Sequence, residues 1–235
     1  MKYSNSNEPE FSKGTSEAGS VSGGAAAKRP PLNKKSLIII IVSAALVLAS
    51  VIGVVLAVLL IPKQPTIYVL EMEVKDFGTI RMELDRESAP ITVDNFVKLA
   101  EEDFYDGLTF HRAVDNFVIQ GGDPKGDGTG GSPDKIFGEF FANGYSGNNI
   151  RHREGVISMA RSNAMNSASS QFFITIGDAR SSLDGSYAAF GYIDEESMKV
   201  VHAIADYMLP LTSNGIITEK AKQPVIVDVR VVETR

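Results

Sequence analysis

The sequence predicts a mainly β fold: a barrel with helical caps, behind a membrane-spanning helix and a disordered tail. Three observations carry that expectation. Short segments alternate apolar and polar residues through much of 66–235. Two segments switch to helical spacing, and one long uncharged apolar run precedes them all. Alternation with period two marks a half-buried strand, whereas recurrence at three and four residues marks a helix packed by one face.

Residues 1–36 are rich in Ser, Gly, Asn, Ala and Pro and hold almost no large apolar side chains. Such a stretch buries too little surface to offset its ordering entropy, so a disordered tail is expected. Residues 37–61, "LIIIIVSAALVLASVIGVVLAVLLI", carry no charge. As a helix this run is about 37 Å long, more than a hydrocarbon core of about 30 Å. It is apolar all round, unlike an amphipathic core helix, and longer than the h-region of a signal peptide. An uncleaved single-pass anchor in the cell membrane is therefore expected. Lys28, Arg29, Lys34 and Lys35 precede the run and only Lys63 closely follows it. The positive-inside rule then puts the N-terminal tail in the cytoplasm and the remainder outside. Residues 62–65, "PKQP", read as a short stiff linker, and 66–235 as the folded domain.

Within that domain Tyr68, Leu70, Met72 and Val74 alternate with Glu71, Glu73 and Lys75. After a turn at Asp76-Phe77-Gly78, Ile80, Met82 and Leu84 alternate with Arg81 and Glu83, which predicts a hairpin. Val93, Phe96, Val97, Ala100 and Phe104 predict a helix over 90–104, with Pro90 and Thr92 as start signals. Strand-like runs follow near 109–113, 117–120, 156–160, 171–175 and 189–193. A second helix is expected over 195–208, with Asp194 as its N-cap and Val200, Val201, Ile204 and Met208 inward. "PVIVDVRVV", 224–232, closes the chain as a strand with Val225, Val227, Val229 and Val231 on one face.

Composition removes several chemistries. There is no Cys, hence no disulfide framework and no cysteine nucleophile. The three histidines, His111, His152 and His202, are scattered and match no metal-ligand spacing, so no metal or cofactor is expected. Residues 1–65 hold seven Lys/Arg and three Asp/Glu, and 66–235 hold sixteen and twenty-six. An acidic domain argues against nucleic acid as its partner. Gly126, Gly128 and Gly131 fit G-x-G-x-x-G, but no helix of a βαβ unit follows. The aspartates of 123–134 lack the closing bidentate Glu of a calcium loop, and no G-x-S-x-G elbow is present.

What remains is "FHRAVDNFVIQGGDPKGDGTGG", 110–131, in which Arg112 and Gln120 interrupt runs that read as buried strand. Buried Arg and Gln are unfavourable unless paired or used. Three further pieces place apolar residues near polar ones: "GVISMARS" (155–162), "SSQFFIT" (169–175) and "SSLDGSYAAFGYI" (181–193). The ordered set F-H-R, F-x-I-Q-G-G-D, G-T-G-G, S-M-A, S-Q-F-F-I and L-D-G-x-x-x-x-F-G resembles the cyclophilin family of peptidyl-prolyl isomerases over 66–235.

The resemblance implies a closed eight-stranded antiparallel barrel capped by two α-helices, with the substrate groove on its outer face. It implies rotation about Xaa-Pro bonds without a cofactor, acting on proline-containing peptides and unfolded proteins as a monomeric domain; the expected placement outside the membrane makes those clients exported proteins. Carried across, the catalytic arginine is Arg112, and Phe117, Val118, Phe173 and Leu183 form the proline pocket. Gln120 clamps the substrate backbone, Ala160, Arg161, Ser162 and Gln171 form the neighbouring wall, and Gly128 lies on the loop. His111 takes a structural position. Four positions depart from the common pattern. Val118 stands for Met, Tyr187 for His, Arg161 for Asn, and Ser182 for the Trp of cyclosporin-sensitive members. The Ser182 change bears on drug binding more than on catalysis, whereas those at Val118, Arg161 and Tyr187 leave a second expectation open: a non-catalytic peptide-binding or chaperone module on the same fold.

Overall fold

The computed structural model describes residues 33–59, 64–212 and 215–235, with side chains over the first stretch as far as 56. Residues 1–32 of the expected disordered tail, the end of the apolar run and the start of the linker lie outside the described residues, and the last three residues of that tail, 34–36, are helical rather than disordered. Among the described residues the chain forms two units, a helix and a folded domain.

The helix, α1, spans Lys34–Leu59. It starts three residues before the apolar run, because Asn33 caps it: the Asn33 Oδ1 accepts the Ser36 N–H at 2.8 Å. Lys34–Leu56 is long and apolar enough to cross a bilayer, with a mean hydropathy of 3.0, and its large apolar side chains are exposed. By length and composition this is a candidate span, near enough to the N-terminus to serve equally as a signal sequence.

The domain contains eight strands: β1 (Ile67–Val74), β2 (Gly78–Asp85), β3 (Phe110–Val114), β4 (Val118–Gly121), β5 (Val156–Met159), β6 (Phe172–Thr175), β7 (Ala189–Ile193) and β8 (Ile226–Thr234). They form one antiparallel sheet in the order β3-β4-β6-β5-β7-β2-β1-β8. The two edges meet ahead of β3 and β8, through a Thr109–Val225 bridge. There the Phe110 N–H reaches the Pro224 carbonyl at 2.9 Å and the Ile226 N–H reaches that of Leu108 at 2.8 Å. Closure thus rests on a short bridge, which leaves a half-barrel whose sheet curls around one core.

Two helices cap it, α2 (Pro90–Glu101) and α4 (Met198–Met208), with a single turn, α3 (Arg180–Leu183), between β6 and β7. The first cap buries Val93, Phe96, Val97 and Ala100 as the spacing predicts, and ends three residues early, leaving Phe104 half-buried. Phe96 meets the rings of Tyr105, Phe172 and Phe190 at 4.8, 5.6 and 5.2 Å, so α2 is fastened to the sheet by aromatic contact. Its first N–H groups are satisfied from far along the chain. The buried Glu139 carboxylate accepts the Ile91 and Thr92 N–H groups at 3.0 and 2.8 Å, and the Thr92 hydroxyl at 2.7 Å.

Two expectations need correction. The second cap begins at Met198, not Glu195; Asp194 instead closes the preceding turn by accepting the Ser197 N–H at 2.7 Å. In β8, Val74 pairs with Ile226 and Glu73 with Asp228, so Val227 is an unpaired bulge residue. Ile226 and Val229 are therefore buried while Val227 is exposed, and the predicted valine alternation is broken.

Candidate active site

Strand register places the candidate residues on one face. Arg112 pairs with Gln120, Gln120 with Phe173, and Phe173 with Ser158, a rank across β3, β4, β6 and β5. Two residues along, Val114 pairs with Val118 and Val118 with Thr175. The alternate residues, Ala113, Ile119, Phe172 and Ile174, belong to the barrel core. Because side chains alternate along a strand, this second rank faces away from that core.

Outside the core, Val118, Phe173, Ala179 and Leu183 form a separate buried apolar cluster, with Phe117, Ala160 and Tyr187 packed around it. The four predicted pocket residues, Phe117, Val118, Phe173 and Leu183, thus come together. The Tyr187 ring meets Phe173 edge-on at 5.7 Å.

A polar line borders this cluster. Arg112 Nη1 donates to Gln120 Oε1 at 3.1 Å, and Gln120 Nε2 donates to Gln171 Oε1 at 2.8 Å. Gln171 Nε2 in turn donates to the carbonyls of Gly130 and Gly128 at 2.7 and 3.2 Å. Half-burial lowers the Arg112 pKa while Tyr187 acts the other way, and a guanidinium still remains charged. Beside this line lies a cavity of about 270 Å³ lined by Gln120, Gly128, Ala160, Arg161, Ser162 and Gln171 among others. All the predicted wall residues are gathered there. Ser182 is exposed on α3 and lines neither the apolar cluster nor the cavity.

Two of the sequence departures form one device. The Arg161 guanidinium lies over the rings of Tyr187 and Phe140, at 4.6 and 5.1 Å from their centroids. Its Nε donates to the Ser186 carbonyl at 3.0 Å and its Nη1 to that of Ser162 at 2.9 Å. The side chain is thereby fixed as part of the wall.

Apart from the structural position given to His111, sequence reasoning missed the supports of the site. Asp123 is buried under the 123–131 loop and accepts the N–H groups of Lys125, Asp127 and Gly128 at 2.8, 3.1 and 2.6 Å. Burial pushes its carboxyl up, but the backbone donors, Gly130 included, outweigh that and hold it below its ordinary value. A Cβ on Gly130 would overlap the Asp123 carboxylate, so that glycine permits a close approach. Gly128 has a φ of 88°, a left-handed conformation that also suits glycine. His111 is buried beside Gly128, and neither ring nitrogen has a hydrogen-bond partner among the described residues. Burial lowers its pKa, with Asp123 opposing and Arg112 adding to the effect.

The second support is a line of Asp184, His152 and Ser158. His152 Nδ1 lies 3.0 Å from Asp184 Oδ1, and its Nε2 lies 3.0 Å from Ser158 Oγ. Ser158 is fully buried, so this is no exposed nucleophile; the ring stacks on Phe173 at 6.0 Å and backs the apolar cluster. Burial lowers the His152 pKa against the pull of Asp184. The Asp of F-x-I-Q-G-G-D and the isolated His were visible in the sequence, but their partners were not.

A family model described as cyclophilin type peptidyl-prolyl cis-trans isomerase/CLD matches residues 69–233. A peptidyl-prolyl cis-trans isomerase of Synechococcus elongatus is 45% identical over 128 residues, 54% of this chain and 82% of that protein. The ppi1 isomerase of Schizosaccharomyces pombe is 44% identical over 116 residues, 49% of this chain and 72% of that protein. Other relatives extend well beyond the match: the CYP57 isomerase of Arabidopsis thaliana is 39% identical over 140 residues, only 27% of its length. Among solved structures, a cyclophilin type isomerase of Cryptosporidium parvum covers 72% of this chain and 99% of its own, at 25% identity and a TM-score of 0.60. The same protein, determined in the presence of the dipeptide Ala-Pro, aligns at 26% identity over 70% of this chain, with a TM-score of 0.59.

Proposed function

The chain belongs to the cyclophilin type peptidyl-prolyl cis-trans isomerases and is an isomerase of Xaa-Pro bonds; from that premise we propose that Arg112 is its catalytic group and the Val118-Phe173-Leu183 cluster its proline pocket. The observation that carries this is the guanidinium of Arg112, held by Gln120 at the border of an apolar cluster separate from the core.

Rotation about a peptide bond breaks amide resonance, against a barrier of about 18–20 kcal/mol. No covalent bond forms or breaks. In the twisted state the prolyl nitrogen becomes pyramidal and regains a lone pair. Arg112 donates a hydrogen bond to that nitrogen, which the planar ground state accepts poorly, so the interaction favours the transition state. Val118, Phe173 and Leu183, with Phe117 at the border, hold the ring by apolar contact. Gln120, fixed by Gln171, holds the backbone on one side while the other turns. The adjoining cavity accommodates a neighbouring side chain of the peptide. Ser182, exposed beside Leu183, contacts the chain passing over α3.

The domain over 66–235 acts outside the cell membrane on exported polypeptides, anchored by the apolar run. The length of α1 and the basic residues before it support this placement. Two measurements test the proposal. The full chain in detergent should accelerate isomerisation of short Xaa-Pro peptides; peptide binding without acceleration would favour the non-catalytic module. A C-terminal tag should be membrane-bound and digested by protease added to wall-free cells. Release of the tag into the medium would remove the anchor, and protection from protease would reverse the orientation.

A further inference from the structure

The face of α3 opposite the proline pocket borders an open hollow of about 650 Å³, lined by Arg151, Arg153, Asp178, Arg180, Ser181 and Asp184. Two elements join hollow and pocket. The turn 178–184 sends Ala179 and Leu183 into the apolar cluster, and Asp178, Arg180, Ser181 and Asp184 to the hollow. The segment 151–153 presents Arg151 and Arg153 to the hollow, and between them His152 stacks on Phe173 in the pocket wall. A peptide seated by its proline therefore has the hollow within a few residues' reach. The 270 Å³ cavity is lined by other residues, Gln120 through Gln171, and shares none with the hollow.

The hollow is basic in a domain with sixteen Lys/Arg and twenty-six Asp/Glu. Arg180 is paired with Asp178, through Nε at 2.8 Å and Nη2 at 2.5 Å. Arg151 uses only Nη1, at 2.9 Å from Asp184 Oδ2, and Asp184 is also engaged inward by His152. Arg153 has no carboxylate or side-chain hydrogen-bond partner among the described residues, although its charge reaches Asp178. Three guanidiniums thus face two carboxylates that are already committed. All three arginines are exposed, and their unused N–H groups point to an acceptor-only anionic group.

We propose that this hollow receives carboxylate side chains of the bound polypeptide flanking the proline, so that the domain prefers acidic Xaa-Pro segments over neutral ones. The proposal rests on the proline pocket assigned above. Its reach is short: surface ion pairs change affinity by up to about fivefold each, and added salt screens them.

The test compares a neutral proline peptide with copies carrying two glutamates two and three residues from the proline, on either side. The full chain in non-ionic detergent is assayed by isomerisation rate and by anisotropy of labelled peptide. At about 0.01 M salt one acidic copy should bind and turn over about fivefold better than the neutral peptide, and the advantage should vanish near 1 M. In the double variant Arg153→Gln/Arg180→Gln the advantage should be lost at low salt, with the neutral peptide unaffected. No preference in the unmodified chain, or an equal preference in the variant, overturns the proposal. The two readouts separate it from the isomerase reading. An acidic preference in anisotropy with no turnover of any peptide removes catalysis and leaves the hollow. Normal turnover without preference removes the hollow alone.

Discussion

Replacing Arg112 by Ala should abolish most turnover while leaving peptide affinity and fold nearly intact. The fold persists because Arg112 contributes one side-chain hydrogen bond, to Gln120, and Gln120 keeps its second one to Gln171. The polar line therefore survives the loss of its end member. Affinity persists because the planar Xaa-Pro nitrogen is a poor acceptor, so the ground state forgoes little. The transition state loses a charge-assisted donor in a half-buried site, where burial already disfavours charge enough to lower the Arg112 pKa. Removing one such preorganised donor costs about 2.7–4 kcal/mol, or roughly a hundredfold to a thousandfold in rate. Exchange NMR on a short Xaa-Pro peptide reads both quantities, since peptide titration gives affinity and saturated exchange gives turnover. Arg112→Lys should recover less than about tenfold, because an ammonium lacks the planar fork needed to hold Gln120 and donate onward at once. Turnover near normal in a folded Arg112→Ala protein would refute the reasoning. A loss that falls wholly in affinity would do so too, by making the guanidinium a ground-state contact.

Three further outcomes are expected. Gln171→Glu keeps the volume but cannot donate to the Gly128 and Gly130 carbonyls, so it should lower kcat/KM about tenfold, as should Gln171→Ala; normal activity of the Glu variant would discount the loop contact. His111 and His152 are held below their ordinary pKa by burial, so the unfolded chain binds more protons between the folded and unfolded values. Their stabilisation is complete above the unfolded value of about 6.5 and lost as pH falls below it, each histidine contributing about 1.4 kcal/mol for every tenfold by which folding weakens its hold on the proton. Thermal melts should thus be level above neutrality and drop toward pH 5, with a second fall below the unfolded carboxylate value of about 3.9, because the folded chain holds Asp123 and Asp184 lower than that; a midpoint unchanged between pH 7.5 and about 5 would contradict this. Ser182 is exposed beside the pocket and offers no large ring, so cyclosporin should bind weakly. Ser182→Trp should tighten it with little change in turnover, as calorimetry and the peptide assay would show.

What the sequence made legible follows from how each feature is encoded. The β1–β2 hairpin, the two caps and the Arg112-to-Gln120 face were legible because periodicity is local, and each of those segments carries its own pattern. The bulge at Val227 was not, because an extra residue in one strand is defined only against its partner, β1. The cap on α2 was hidden for the same reason: its acceptor, Glu139, lies 48 residues from Ile91. The site combines both kinds of information. Its members, Arg112, Gln120, Gln171 and Phe173, were named by motif, but what aligns them is pairing across β3, β4, β6 and β5. A slip of one residue between β4 and β6 would turn Phe173 into the core and Phe172 out of it. That slip is opposed from both sides of the sheet. Phe172 packs against Phe96, Tyr105 and Phe110 inside, while His152 stacks on Phe173 outside, held by Asp184 and Ser158. The core contacts that fix the register therefore also fix the distance from guanidinium to pocket. On this argument a substitution such as Phe172→Ala would disturb activity through alignment, without touching a peptide at all.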